Sequence, residues 1–235
     1  SMNFSFVSIP FSFVIAKLIG VDHKFTIFYL ICLLGGIVLA MILPRIPPLS
    51  KIPDTYDEIS GKQINEDIPE GVSKAQWALN LAGHRAKDAS INDLLNSGLH
   101  VYSSMFLDLI PIVMAWGTIV LILVEFTPIF NIISVPFEWY LNVLGIEGAK
   151  EVAPTALVGF ADMYIPPLML ANFPIERTRF IMGAATLLQI IYMTEVGLII
   201  LKSRVPVNVG HLFVVFIERT IIAIPLVTLL TNLLV

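Results

Sequence analysis

The sequence predicts an all-α integral membrane protein, a polytopic helical bundle of about five or six hydrophobic segments that include proline-broken or re-entrant helices. Three observations predict it. Of 235 residues, 57% are hydrophobic and only 14% charged, against roughly a quarter charged in soluble domains. The mean hydropathy is +0.85. The apolar residues also fall in blocks of about 20, the length a helix needs to cross a bilayer's hydrocarbon layer. This composition excludes a water-soluble enzyme. A formal net charge of -4 leaves no basic footprint for nucleic acid. The single cysteine, Cys32, lies inside an apolar block and excludes a disulfide framework.

Four stretches satisfy the length and polarity of a membrane span: Phe25 to Leu43, Leu99 to Phe126, Phe180 to Leu201 and His211 to Val235. Three others are apolar but interrupted. Asn3 to Gly20 is short and contains Pro10 and Lys17, so it reads as part of a helix or hairpin rather than a signal peptide. Pro128 to Gly145 holds Pro128, Pro136 and Glu138, and Glu151 to Phe173 holds Pro154, Pro166 and Pro167. Such segments read as re-entrant, interfacial or discontinuous helices.

Between Arg45 and Gly98 lies the one long polar region. It opens with Pro44, Pro47, Pro48 and Pro53, which favour turns, and continues through an acidic group from Asp54 to Glu70. Its second half carries two helix-start signatures, Ser73 with Gln76 and Ser90 with Asp93, each followed by apolar residues at helical spacing. The two short helices lie on the membrane surface or against the bundle, or form a soluble linker pair. This loop collects Arg45, Lys51, Lys62, Lys74, Arg85 and Lys87, which favours the cytoplasmic side. Three regions follow: membrane segments over 1–44, the polar loop over 45–98 and a transmembrane domain over 99–235.

Ionisable residues inside apolar blocks are the sharpest functional signal, because each costs about 2.5–3.5 kcal/mol to insert at mid-helix. They are Asp108, Asp162, Glu195, Glu218 and Arg219. Four acids face one base, so at most one carboxylate pairs with Arg219; the others are protonated, hydrated or bound to a ligand or cation. Glu218 and Arg219 are neighbours in sequence and point apart on a helix, so each needs a partner elsewhere. The functional reading is a substrate site or polar pathway at mid-membrane, and the structural reading is helix–helix hydrogen bonding.

At 100° per residue, Glu151, Thr155 and Asp162 fall within about 40° of one another on one helix face. On a helix continuous to its prolines, Pro154 frees the carbonyl of Lys150, while Pro166 and Pro167 free those of Asp162 and Met163. Carboxylates beside freed carbonyls are how secondary transporters build solute and ion sites; a packed proline kink is the alternative. Asn172 adds a neutral donor and acceptor. Thr186, Gln189, Tyr192 and Glu195 recur every third residue and form a slanting polar ridge. His84 and Asp88 lack a third ligand, so no metal site follows. The chain has no GxxxxGK[ST], GxGxxG, HExxH or GxSxG motif, and neither an enzyme nor a cofactor is indicated.

The runs MAWGTIVLILVEFTPIF, GAKEVAPTALVGFADMYIPPLMLAN, RFIMGAATLLQIIYMTEVG and FIERTIIAIPLV resemble the nucleoside-recognition Gate-domain membrane proteins, most of all their YjiH-like branch. The resemblance covers Lys74 to Val235, and GFADMYIPP and QIIYMTEVG are its most specific parts. It implies an integral protein of the bacterial cytoplasmic (inner) membrane with a transport-like role and no assigned substrate. Gate domains also occur in concentrative nucleoside carriers, ferrous-iron permeases and spore-maturation membrane proteins, so the shared domain does not establish nucleoside binding. The discontinuous Gate elements would fall on Glu151 to Phe173 and its flanks. Some members are longer, which implies either a complete short member or a piece with a separate partner half.

The resulting expectation is a secondary transporter or permease subunit for a small polar solute: nucleoside-like, amino acid or peptide, or an ion. Asp162 and Glu195 would bind the coupling proton, cation or solute amine. Gln189, Thr155 and Asn172 would supply neutral hydrogen bonds, and Arg219 would neutralise one acid or hold an anionic group. Glu151, Tyr192 and Glu218 complete the candidate set. The alternative is a non-transporting scaffold or the partner subunit of a two-part Gate complex. The expected partners are the lipid bilayer, the solute, and either a second copy or a separate Gate subunit.

Overall fold

The computed structural model describes residues 8–52, 73–88, 90–104, 106–107, 110–202 and 205–235. Every regular element among the described residues is helical. The chain divides into two compact units, Ser1–Ile52 with Val113–Val235, and Pro53–Ile112. Helices α1 (Ile9–Leu18) and α2 (Phe25–Ile42) open the larger unit. Helices α3 (Lys74–Asp88) and α4 (Ile91–Ser104) belong to the smaller one. The larger unit then resumes with α5 (Ile110–Phe126, apart from its first turn), α6 (Ile129–Ile133), α7 (Val135–Val143) and α8 (Ala149–Val158). It ends with α9 (Ile165–Leu170), α10 (Glu176–Gln189), α11 (Leu198–Lys202) and α12 (Val209–Leu234).

In the smaller unit, α3 begins where the sequence places it. Ser73 Oγ accepts from the Gln76 amide at 3.3 Å and the Trp77 amide bonds the Ser73 carbonyl at 2.9 Å, an N-cap that satisfies donors of the first turn. Likewise α4 starts after Ser90, whose carbonyl accepts from the Leu94 amide.

In the larger unit, two helices are long and apolar enough to cross a membrane: α2 with its flanking 3₁₀ turns (Asp22–Arg45) and α12. Both coincide with spans expected from sequence. Of the other two, Leu99 to Phe126 holds α4 up to Ser104 and α5 from Ile110, with residues 105 and 108–109 outside the described residues. One is divided. Phe180 to Leu201 is interrupted after Gln189 and continues through a π-helical turn, Met193–Gly197, into α11. Apolar composition alone does not report helix continuity, which is why hydropathy merged these pieces.

Helices α2, α10 and α12 pack against one another around the main core. Phe28 on α2 meets Phe180 on α10 edge to face, ring centroids 5.3 Å apart. One turn of α2 can approach α10 because Gly35 has no side chain: a Cβ there would lie 2.6 Å from Leu188 Cδ1. At the start of α12, Asn208 Oδ1 accepts from the His211 amide at 2.8 Å and His211 Nδ1 accepts from the Asn208 amide at 3.4 Å, a reciprocal cap that the sequence reading missed. Pro225 lies inside α12 and removes the amide that would bond the Ile221 carbonyl. Tyr140 of α7 replaces it, its hydroxyl donating to Ile221 O at 2.6 Å.

Candidate functional site: two crossed helix breaks

Two interrupted helices meet at their interruptions. The first break lies between α8, which ends at Val158, and α9, which starts at Ile165. The second separates α10 from the π-helical turn. The Met193 amide donates to the Phe160 carbonyl at 2.8 Å and the Thr194 amide to the Ala161 carbonyl at 3.3 Å, so backbone hydrogen bonds join the two breaks. Breaking a helix orphans amides at one end and carbonyls at the other, and within a membrane those groups need partners.

Asp162 serves the amide side. It is 5% exposed, and its Oδ1 accepts from the Tyr164 amide at 2.7 Å and the Ile165 amide at 3.2 Å, the first donors of α9. Its Oδ2 accepts from the Thr194 hydroxyl at 3.4 Å, joining the two breaks through side chains. Gly117 on α5 approaches the same oxygen; a Cβ there would stand 3.8 Å from it. The sequence expectation that Asp162 shares a helical face with Glu151 and Thr155 is corrected, because α8 ends at Val158 and the helical period stops with it. Pro166 and Pro167 likewise start α9 rather than free carbonyls in mid-helix, since the first turn needs no amide donors.

Three side chains serve the carbonyl side. Arg219 of α12 is 6% exposed and donates twice to Leu188 O, from Nε at 3.0 Å and Nη2 at 2.7 Å. A guanidinium at a helix C-terminus also opposes the negative end of the helix dipole. The Tyr192 hydroxyl, fully buried, donates to Thr186 O at 2.7 Å. Gln189 Nε2 donates to Ala156 O in the last turn of α8 and to Thr220 Oγ1, both at 2.9 Å. Its Oε1 is buried without a hydrogen-bond partner and faces Gly159, where a Cβ would overlap it. Thr155 is buried and its hydroxyl returns to Val152 O at 2.6 Å.

Between the caps, Ile190 has φ of 58° and ψ of -31°, a sparsely populated positive-φ conformation that costs a residue with a side chain about 1–3 kcal/mol. The Ile191 amide closes back on the Gln189 carbonyl at 2.6 Å, a three-residue turn that reverses the chain within one residue.

The structure therefore brings Asp162, Gln189, Tyr192 and Arg219 to the breaks, with Thr155 in the last turns of α8. It leaves others outside. Glu151 is exposed in the first turn of α8, and Asn172 is exposed in the turn after α9. Glu218 is half-buried on α12, its Oε2 buried without a hydrogen-bond partner. The Glu195 side chain and Asp108 lie outside the described residues. Sequence reasoning missed Thr194, Thr220 and Gly159. Thr194 and Thr220 each adjoin an ionisable residue in an apolar block, the signal that could have drawn attention to them.

A cleft reaches each break. One, of about 320 Å³, is lined by Ile190, Ile191, Val215, His211 and Arg219, with Leu43 of α2's flank. The other, of about 490 Å³, is lined by Leu157, Phe160, Ala161, Phe213 and Ile217 and is almost wholly apolar. Among the described residues, no group of three or more His, Cys, Asp or Glu is placed to hold a metal ion.

The chain is 43% identical over 231 residues to a protein of Alkalihalophilus pseudofirmus named as uncharacterized, across 98% of this chain and 50% of that protein. It thus spans about half the length of the curated relative it matches. No family model matches the chain, and no solved structure matches it.

Proposed function

We propose that the chain is a polytopic membrane protein of the bacterial cytoplasmic membrane, Gate-like in fold, acting as a secondary transporter or permease subunit for a small polar solute. The observation that carries this reading is the meeting of two helix breaks whose buried charges, Asp162 and Arg219, cap opposite kinds of helix end. Depth supports it. Arg219 sits about 15 Å from the start of α12 and about 22 Å from its end at 1.5 Å per residue, near the middle of the bilayer if α12 spans it. Discontinuous helices at mid-membrane are the usual site of solutes and coupling ions. In this reading a solute enters from the 320 Å³ cleft, Asp162 and Glu195 take the coupling proton or cation, and Gln189 Oε1 supplies an unsatisfied acceptor. The Thr194 contact to Asp162, at 3.4 Å, is the weakest of its bonds and the one a bound cation would displace.

The test is a thermal-shift screen of purified protein against nucleosides, amino acids, dipeptides and divalent metals, followed by uptake into vesicles. Asp162→Asn and Glu195→Gln should each abolish the shift and the uptake while the protein remains monodisperse. Retained uptake in both variants would sink the proposal.

A second reading, a non-transporting scaffold or the partner subunit of a larger two-part complex, is favoured by one observation: the polar side chains at the breaks already satisfy backbone groups. The half-length match to the relative is compatible with it. It predicts that Asp162→Ala lowers stability while Asp162→Asn behaves as the parent, and that no solute shifts the melting temperature.

A further inference from the structure

At the end of the bundle where α2 begins and α12 finishes, the start of α10 completes a cavity of about 480 Å³ lined by Lys24, Glu176, Arg177, Phe180, Thr231, Asn232 and Val235. Its donors are incompletely used. Arg177 Nη2 donates to Asn232 Oδ1 at 2.7 Å and Nη1 to Gly145 O at 3.4 Å, and its guanidinium has further N–H groups in the same plane. Thr231 is 2% exposed and its hydroxyl is buried without a hydrogen-bond partner. On the same helix Thr220 and Thr228 each donate to the carbonyl four residues back, at 2.8 Å; Thr231 makes no such bond. Helix α10 has no side-chain N-cap, so its first amides are open. Glu176, the one carboxylate side chain in the wall, is held by Lys24 at 2.9 Å and His23 at 3.3 Å, and Arg177 makes no ion pair with a side chain among the described residues.

We infer that this cavity binds a phosphate group, held by the Arg177 guanidinium with the Thr231 hydroxyl and the open end of α10. A planar fork plus a hydroxyl and backbone amides is the donor set that suits a tetrahedral oxyanion. The cavity lies at the ends of the two helices that are long and apolar enough to cross a membrane; where they cross one, this is the level of the lipid phosphates. The phosphate belongs either to a lipid headgroup or to a free solute, and the chemistry at the cavity is the same.

The purified full chain in detergent is titrated with phosphatidylglycerol, with diacylglycerol of the same acyl chains, and with inorganic phosphate, read by native mass spectrometry and thermal unfolding. Saturable binding of phosphatidylglycerol but not diacylglycerol assigns a headgroup; stabilisation by inorganic phosphate alone assigns a free solute. In either case Arg177→Gln should weaken binding about tenfold, the loss of one charge-assisted contact, and Thr231→Val by a smaller factor. Should Arg177→Gln fail to fold, Thr231→Val, which keeps the side-chain shape, decides. The inference is overturned if neither phosphate source binds, if diacylglycerol binds as well as phosphatidylglycerol, or if the folded variants bind like the parent.

Discussion

The guanidinium of Arg219 closes the end of a helix on a different part of the chain, donating to the Leu188 carbonyl through two nitrogens at 3.0 and 2.7 Å. The same relationship recurs: Tyr192 to Thr186, Gln189 to Ala156 and Tyr140 to Ile221 each join a side chain to a helical carbonyl. The helix interruptions are thus stabilised by side chains that an apolar environment would otherwise penalise.

Replacing Arg219 tests how much this closure contributes. Arg219→Ala leaves Leu188 O without these donors, and an orphaned buried carbonyl costs about 1–3 kcal/mol. At roughly 2–4 °C per kcal/mol for a chain of this size, the melting temperature in detergent should fall by several degrees. Arg219→Lys keeps the charge but not the two-nitrogen fork, and should fall between the two. Equal melting temperatures for all three proteins would show that the cap is incidental.

Gly159 is required by the side chain it faces. A Cβ there would overlap Gln189 Oε1 and lie 3.3 Å from Cδ, so Gly159→Ala should displace the amide from Ala156 O and Thr220 Oγ1. Overpacking of this kind costs about 1–3 kcal/mol. Combining it with Gln189→Ala removes the clash, so the double variant should be more stable than the sum of the single losses implies. Additive losses in the cycle would refute the contact.

Much of the fold was legible because α2 and α12 are long, predominantly apolar runs, and Ser73 announces α3 through a local hydrogen bond. Asp162 and Arg219 stood out for the same physical reason, a charge where lipid-facing chemistry disfavours one. The rest was not legible. The break after Gln189 contains neither proline nor glycine; it depends on a backbone turn at Ile190 that composition does not encode. The partner of Arg219 is a carbonyl, present at every residue, so no sequence pattern could single out Leu188. The prolines of α9 were visible, but whether they stop a helix or start one depends on where the preceding helix ends.

Strain at Ile190 can be separated from burial by comparison with its neighbour. Ile190 is 2% exposed and Ile191 6%, so replacing either by glycine loses similar packing and gains similar unfolded-chain freedom. Only Ile190 has positive φ. Ile190→Gly should therefore be less destabilising than Ile191→Gly by about 1–3 kcal/mol, the positive-φ strain it relieves. Chemical denaturation of the two variants measures the difference, and an equal loss would remove the strain.

The ion pair at the start of α10 gives a pH dependence of known sign. The hydrogen bond from Lys24 holds the Glu176 carboxyl below its ordinary value of 4.5, opposed in part by desolvation. Between the lowered native value and the unfolded one, the unfolded chain binds more protons, so stability rises with pH across that window. The contribution is complete above the unfolded value and disappears as pH falls through the native one. Both side chains are over a third exposed, so screening keeps it within about 1 kcal/mol. Glu176→Gln should flatten this part of the stability curve, in the acid range below the ordinary carboxylate value.

Asp162 performs two separable tasks, and two substitutions divide them. Asp162→Asn retains an oxygen at Oδ1 for the Tyr164 and Ile165 amides, so the cap of α9 survives and stability should change little. Asp162→Ala removes the cap and should cost about 0.5–2 kcal/mol, with more added by the vacated space beside Gly117. If the proposed transport reading holds, both variants lose coupling to a proton or cation, because neither carries the negative charge that the site requires. A purely structural aspartate gives the other pattern, in which Asp162→Asn behaves as the parent in every solute assay and only Asp162→Ala is impaired. Measuring melting temperature and uptake on the same preparations distinguishes the two, since loss of uptake without loss of stability arises only from the charge.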